Sequence, residues 1–431
     1  MKKTLTTTLL LTGLLLAATT AYADGEVKVT GEVRARAELT DITLNKRHWL
    51  KQVSWLRTRV GIEADIKGNT RAFVQFQDSR QFGGKTHEGD QASGGTNAGV
   101  NVDLHQAYIE IDRLWFDGFG VKVGRFELNF GNQRVLGGAG WSNVGRSWEG
   151  LMHWYDTDKM KLSGFMVKRI ERTEPRPRVT GGNADYDIWG IYYQNKRLHL
   201  DLFALLDSDA YERLPHFNRL SRFSFGTYYA REHKHMDYTL NAVVQTGKDG
   251  RTKIRRDISA YMVNFEAGYN FDTPTSPRLA IGFDFQSGDE TNDDKIESYN
   301  NLYYTGHKFN GYMDYFLSSA TSGNVPAGAG LIDLMAKGSC RPWPDWAVAL
   351  DIHYFRTDVK YTWDPDDNPR TNNTVTGTDL GIELDLTVKT KSVPGFDLVW
   401  GVSYFLPEDR FAGIDNHAAG FWSYMMGTAG F

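Results

Sequence analysis

Alternation of apolar and polar residues is the feature that most constrains the fold of this chain. Within residues 379–389 the even positions from Leu380 to Val388 are apolar, and the odd positions include Asp379 and Glu383. Successive side chains of a strand point to opposite faces, whereas a helix would mix these two sets. Similar runs recur from residue 26 to the C-terminus. The pattern predicts strands with one face suited to lipid and the other to water.

The first residues have the form of an export signal. Lys2 and Lys3 precede an apolar run from Leu9 to Ala18, and Ala21-Tyr22-Ala23 has the small-x-small form of a cleavage site. We therefore expect a signal peptide over residues 1–23 and one β-barrel domain over residues 24–431. A soluble sandwich also alternates and is the alternative at this point, although export argues against a cytoplasmic one.

Short and long connectors alternate along the chain. The predicted strands are 26–40, 53–67, 69–78, 103–112, 119–126, 148–155, 159–168, 186–193, 197–205, 221–231, 237–246, 257–268, 279–286, 329–338, 345–356, 377–389, 395–405 and 418–430. Short links near residues 68, 157, 195 and 392 separate long ones at 79–102, 127–147, 169–185, 287–328 and 357–376. Bacterial outer-membrane barrels are arranged this way, with even strand numbers.

The predicted fold is all-β: a transmembrane antiparallel β-barrel of about 18 strands, with long extracellular loops and short periplasmic turns. Strand 329–338 is the weakest element, and without it the number would be about 16. Aromatic pairs such as Trp154-Tyr155 and Tyr404-Phe405 are expected to form girdles at the two membrane surfaces. Expected partners are outer-membrane lipid and lipopolysaccharide. The barrel-assembly machinery is expected to bind the terminal Phe431.

A distinctive motif surrounds the loop after residue 126. It contains Gly124-Arg125, then Gly131-Asn132-Gln133-Arg134, then Asn143-Val144-Gly145-Arg146-Ser147-Trp148-Glu149-Gly150. This order resembles the alginate export family of outer-membrane barrels. Residues 75–80 with 106–108, and residues 307–316, resemble the same family. Phe126 departs from the usual Gln, and Tyr304 from the usual Pro. The resemblance implies an outer-membrane channel and leaves the substrate open.

Arginines are the candidate solute-binding residues. A guanidinium stays charged at physiological pH and grips carboxylates or phosphates, so arginines lining a pore favour anions. The predicted pore-lining residues are Arg34, Arg36, Arg57, Arg59, Arg71, Arg125, Arg134 and Arg146. Arg125, Arg134 and Arg146, with Arg57 and Arg59, are expected to form the narrowest positively charged part of the conduit. Glu127 and Glu149, the closest carboxylates in sequence, are expected to be too few to neutralise all five. The alternative is that the arginines pair with carboxylates and brace the wall.

No motif predicts catalysis, a cofactor or a metal site. Gly-x-Ser-x-Gly is absent, no histidine lies in a zinc or nucleophile motif, and Cys340 is the single cysteine. The acidic stretches at 288–294 and 364–367 lack the spacing of a calcium loop and are more typical of solvated loops.

We therefore expect a passive, anion-preferring channel in the outer membrane of a Gram-negative cell, with no nucleic-acid partner. Its cargo would be small anionic solutes or an anionic polysaccharide. A general nutrient porin and a structural barrel or sleeve in an envelope complex are the alternatives. Loops 79–102 and 287–328 are long enough to fold into the lumen and obstruct it.

Overall fold

The computed structural model describes most of the chain between residues 25 and 431. The described ranges are 25–41, 50–66, 68–82, 102–170, 185–209, 219–251, 255–290, 294–317, 328–363, 375–408 and 418–431. The predicted signal peptide and the acidic stretch 364–367 lie outside these ranges and stay predictions.

Strands dominate the described residues, and the one helical element there is a 3₁₀ turn at Gly306–Lys308. The strands are β1 Val27–Asp41, β2 Lys51–Ile66, β3 Thr70–Gln81, β4 Asp103–Ile111, β5 Phe119–Phe126, β6 Trp148–Asp156, β7 Met160–Ile170, β8 Tyr186–Asn195, β9 Leu200–Asp209, β10 Leu220–His233, β11 Met236–Asp249, β12 Arg256–Asn270, β13 Arg278–Gln286, β14 Lys295–Ile296, β15 Leu331–Cys340, β16 Trp346–Trp363, β17 Val375–Val393, β18 Phe396–Pro407 and β19 Gly420–Gly430. No helix in the described ranges is long and apolar enough to cross a membrane.

The sheet closes on itself. Each wall strand pairs antiparallel with the next, and β1 pairs with β19 from Glu32↔Gly430 to Asp41↔Phe421. At the seam, Gly31 N donates to Phe431 O at 2.8 Å and Phe431 N donates to Gly31 O at 3.0 Å. Closure matters because lipid offers no hydrogen bonds to a free strand edge.

The predicted topology is confirmed. The two-residue β14 lies inside a long connector, so β13 pairs directly with β15 and 18 strands form the wall of the described barrel. The weakest predicted strand, 329–338, is β15. Short and long connectors alternate as expected, and this places the long ones outside the cell and the short ones in the periplasm.

The predicted lipid-facing and lumen-facing sides are also confirmed, with one exception on β17. Glu383 is 0% exposed, whereas Ile382 is 37% and Leu386 is 40% exposed on the outer face. Leu380 was expected to share that outer face but is fully buried inside the barrel. The cause is a β-bulge at Gly381 (φ +145°), where the pairing of β16 with β17 skips residue 380 and the alternation reverses.

The aromatic pairs do not line the outer surface as pairs, because adjacent strand residues face opposite ways. Tyr155 and Tyr404 are exposed to lipid, while their partners Trp154 and Phe405 are buried inside. Phe405 packs in an inner apolar cluster with Phe316, from a long loop. Half of each pair therefore belongs to the interior, which corrects the expectation of paired girdles.

Replacing Leu386 by Arg tests the assignment of faces. A lipid-facing Arg near the midplane is expected to lower the free energy of unfolding by about 2–4 kcal/mol, because a charge is placed in hydrocarbon. Leu386→Ile keeps the apolar surface and serves as the control. Urea unfolding of the protein in bilayers measures both. Equal stability of the two variants would mean that residue 386 does not face lipid.

Candidate functional site

The loop between β5 and β6 folds into the barrel. This first inner loop (residues 127–147) reaches widely separated strands: Phe130 stacks on Tyr192 of β8 at 4.3 Å, Arg134 ion-pairs with Asp284 of β13, and Trp141 packs edge-on against Trp422 of β19. Since these strands lie on different sides of a closed wall, the loop crosses the lumen.

A second inner loop (residues 297–317) precedes β15 and also lies inside. The Tyr303 hydroxyl donates to Asp207 of β9 at 3.0 Å, and Phe316 packs on Phe355 of β16 at 4.5 Å. Met313 N donates to the buried Glu383 carboxylate of β17 at 2.8 Å. Burial raises the pKa of the Tyr303 phenol well above its ordinary value, so this group stays a neutral donor. The second loop thus also contacts strands on different sides of the wall.

The two inner loops are joined through their backbones. Tyr303 N donates to Val135 O at 3.1 Å, Gly137 N donates to Tyr303 O at 3.0 Å, and Thr305 N donates to Gln133 O at 3.0 Å. Arg146 Nη1 adds bonds to the carbonyl oxygens of Gly137 and Tyr303. The loops therefore behave as one unit inside the barrel.

Wall arginines hold the first inner loop by its carbonyl oxygens. Arg34 donates to Gly140 O at 2.7 Å and to Ser142 O at 2.9 Å, and Arg57 donates to the same two oxygens at 3.1 and 3.0 Å. Arg36 and Arg59 donate in the same way to Trp141 O and Val144 O. A loop inside a barrel has no neighbouring strand to satisfy its carbonyls, and a guanidinium supplies five donors in one side chain.

Carboxylates accompany most of these arginines. Arg57 pairs with Glu32 at 2.7 Å, Arg36 with Glu38 at 2.7 Å, Arg59 with Glu127 at 3.5 Å and Arg125 with Glu149 at 2.7 Å, and Arg134 pairs with Asp284. The sequence expectation considered Glu127 and Glu149 and missed two other carboxylates: Glu32, on the strand next to Arg57, and Asp284, which is distant in sequence. Arg146 donates to the carbonyl oxygens of Gly137, Tyr303 and Tyr304.

The eight predicted arginines fall into three places. Arg34, Arg36, Arg57 and Arg59 converge on the first inner loop, Arg125 lies beside them on β5, and Arg71 pairs with Glu110 and Asp112 near the periplasmic end. Arg134 is 1% exposed, and Arg146 donates to the second loop. Their part in solute selection stays a prediction.

Trp141 connects the arginine set to both loops. The Arg36 guanidinium lies 4.0 Å from the centre of the indole, and His307 of the second loop stacks on the ring at 3.9 Å. His307 also contacts Asp314 at 3.1 Å. The indole is thus covered by a cation and an imidazole, which favours a structural role over a solute platform.

A serine, a histidine and a glutamate form a chain under the first loop. Ser147 Oγ lies 3.3 Å from His105 Nδ1, and His105 Nε2 lies 2.8 Å from Glu127 Oε1. Burial alone would raise the pKa of Glu127, but His105 and Arg59 outweigh it and lower the pKa below its ordinary value. Ser147 and His105 are each 1% exposed, so a substrate carbonyl has no access to the hydroxyl. The chain braces the loop.

A polar cavity of about 350 Å³ lies between the second loop and strands β6–β10. Its walls include Arg146, Arg169, Arg222 and Arg251, with Tyr303 and Asp207. Arg169, Arg222 and Arg251 were absent from the sequence prediction. Arg169 and Arg222 lie near the outer ends of β7 and β10, next to long connectors, and that position was the available signal. Arg251 lies in the short connector after β11. The described residues contain no cluster of acidic, histidine or cysteine side chains placed to hold a metal.

Comparison with known proteins identifies the family. The alginate export family model matches residues 24–420. The chain belongs to the alginate export family. A search of curated proteins finds no match. Solved structures share the fold: OccK5 (OpdH) of Pseudomonas aeruginosa has 11% identity and a TM-score of 0.55, covering 94% of this chain and 98% of its own.

Two further solved structures share the fold of this chain. OpdO of Pseudomonas aeruginosa is 11% identical with a TM-score of 0.58, over 94% of this chain and 97% of its own. OccAB1 of Acinetobacter baumannii is 11% identical with a TM-score of 0.56, over 96% and 98%. With the barrel and its inner loops, the family membership makes this alginate export family protein an outer-membrane channel and not an enzyme.

Loss of one wall arginine should loosen the first inner loop. Arg34→Ala removes the donors to Gly140, Trp141 and Ser142. We expect the free energy of unfolding to fall by about 1–3 kcal/mol, since charged hydrogen bonds to buried acceptors are lost. Single-channel conductance should rise or become noisier. Arg80→Ala is the control, because Arg80 pairs with Asp78 on its own strand. Unchanged stability and conductance in Arg34→Ala would show that the loop does not depend on Arg34.

Proposed function

We propose that this protein is a passive channel that prefers small anionic solutes. The observation that carries the proposal is the polar cavity beside the second inner loop, whose lining includes four arginines and one aspartate. Arginines lining a narrow pore favour anions, and the low dielectric of the wall strengthens their effect.

The charges around the cavity do not cancel. Arg222 pairs with Asp207 at 2.9 Å and Arg251 with Asp249 at 2.7 Å. Arg169 lies against neutral groups instead: its Nη1 donates to the Tyr303 hydroxyl at 3.2 Å, and its guanidinium lies 4.7 Å from the Tyr186 ring centre. Among the described residues no carboxylate pairs with Arg169. Its charge supports attraction of an anion to this part of the path.

The inner loops favour small solutes over a polymer. Both loops contact several strands around the wall and hydrogen-bond to each other, so the space left for a solute is subdivided. A cavity of about 350 Å³ lies at the lower end of ordinary small-molecule sites, which span roughly 300–1,000 Å³. An extended polysaccharide would require the loop pair to leave the lumen.

Replacing Arg169 by Gln tests the anion preference. Near a low-dielectric wall a unit charge about 10 Å from a passing ion contributes on the order of 1 kcal/mol, so the anion-to-cation permeability ratio should fall roughly fivefold. The reversal potential of the channel in a salt gradient across a planar bilayer measures the ratio.

Arg341→Gln is the matched control, because Arg341 is exposed in the periplasmic turn after β15. It should leave the reversal potential unchanged. Equal ratios in wild type and Arg169→Gln would reject the role of Arg169. Absence of conductance in the wild type would favour a structural barrel, and passage of an oligouronate as fast as acetate would favour the polysaccharide.

A further inference from the structure

The outer, lipid-facing wall carries an apolar groove that the channel function does not use. It has a volume of about 770 Å³ and lies across β6–β10. Paired residues on these strands form one lateral row: His153↔Gly164, Gly164↔Ile191, Ile191↔Ala204 and Ala204↔Phe225. Gly164 and Ala204 are small, while Ile191 and Phe225 project and are exposed. The row therefore forms a depression between apolar ridges.

One polar side chain lies at the groove. His153 faces lipid, and its imidazole covers Gly164, where a Cβ would come within 2.6 Å of His153 Nε2. Among the described residues His153 has no hydrogen-bond partner. The imidazole fills the space over Gly164, so the open part of the groove lies over Ala204, between Ile191 and Phe225.

Basic side chains lie at the periplasmic end of the same strands. The turns after β6 and β8 are joined by a bond from Lys196 N to Lys159 O at 2.9 Å, and the Lys159 and Arg197 side chains are exposed there. Lys196 is already paired with Asp156. By contrast, the turn after β4 carries Asp112, Arg113 and Asp117. The same two turns also carry Asp156 and Asp158, and the exposed Lys159 and Arg197 make no ion pair among the described residues.

The distance from the basic turns to the groove matches the thickness of one leaflet. From Lys159 to Gly164 the strand covers about 16 Å, or roughly 12 Å perpendicular to the membrane at a tilt near 40°. Half of a bilayer's hydrocarbon core is about 15 Å thick. A molecule with its charged head at the two turns would therefore place its chain in the groove.

We propose that this groove is a binding site for an anionic phospholipid of the periplasmic leaflet. Lys159 and Arg197 bind its phosphate, and one acyl chain lies over Ala204, between Ile191 and Phe225. The charge at the turns selects a lipid over a second copy of the chain, whose own groove would bring the same basic turns together. Trp189, which is 47% exposed at the rim, packs on the chain.

Native mass spectrometry of the detergent-solubilised barrel with added phosphatidylglycerol or phosphatidylethanolamine tests the site. Wild type should retain phosphatidylglycerol preferentially. Lys159→Ala/Arg197→Ala removes two surface cations and should weaken the apparent affinity of the barrel for phosphatidylglycerol roughly thirtyfold. Ala204→Leu fills the groove and should reduce retention of both lipids.

Matched controls separate the site from general lipid contact. Arg113→Ala/Lys234→Ala removes two cations from other periplasmic turns, and Ala64→Leu enlarges an outward side chain on β2. Both should retain the lipid as wild type does, and a heat-modifiable gel shift verifies folding of every variant. The proposal is overturned if site and control variants lose lipid equally, if wild type does not prefer phosphatidylglycerol, or if the groove variant instead abolishes a dimer. None of these results bears on ion selectivity.

Discussion

Hydrogen bonds from wall arginines to loop carbonyls are the interaction on which the interior depends. A strand finds its partners in the wall, but the first inner loop crosses the lumen without a ladder of its own. Arg34 and Arg57, neighbours across β1 and β2, both donate to Gly140 O and Ser142 O. Placing two cations side by side is unfavourable, and Glu32 beside Arg57 offsets part of that repulsion. These arginines thus hold the first inner loop in place, and they affect solutes through the position of that loop.

The inner loops also complete an apolar interior that a plain water-filled barrel would lack. Leu128 and Leu136 of the first loop and Tyr299 of the second pack with wall residues such as Phe165 and Val167. Phe316 does the same against Phe355 and Phe405. Burial of this kind adds to the stabilisation by the arginines, since each buried large side chain contributes about 1.5–3 kcal/mol. Channel width is therefore set by a packed core.

Sequence alone predicted the wall and missed the contacts across it. Alternation identified most wall strands, and the requirement for an even strand number added the one at 329–338. The parity of Glu383 and Leu386 was right because a buried face constrains register. The reversal of facing at Leu380 was not predicted, since a single glycine within a strand does not by itself indicate a β-bulge. The motif pointed to Arg134 and Arg146, yet their partners Asp284 and Tyr303 lie about 150 residues away in sequence. Arg169 lies in no motif and was not predicted either, because only the folded structure brings it next to Tyr186 and Tyr303.

The position of the first inner loop on the inner wall is the central claim, and cysteine cross-linking tests it most directly. Asn143 Nδ2 donates to Ser79 Oγ of β3 at 2.7 Å, so the two side chains are in contact. In a Cys340→Ser background, a short bifunctional thiol reagent should join the two thiols of Asn143→Cys/Ser79→Cys in intact outer membranes, detected as protection of both thiols from later alkylation. Asn143→Cys with Thr58→Cys, which faces away from the lumen, should not be joined. Free thiols in the first pair after treatment would contradict a loop held against the wall.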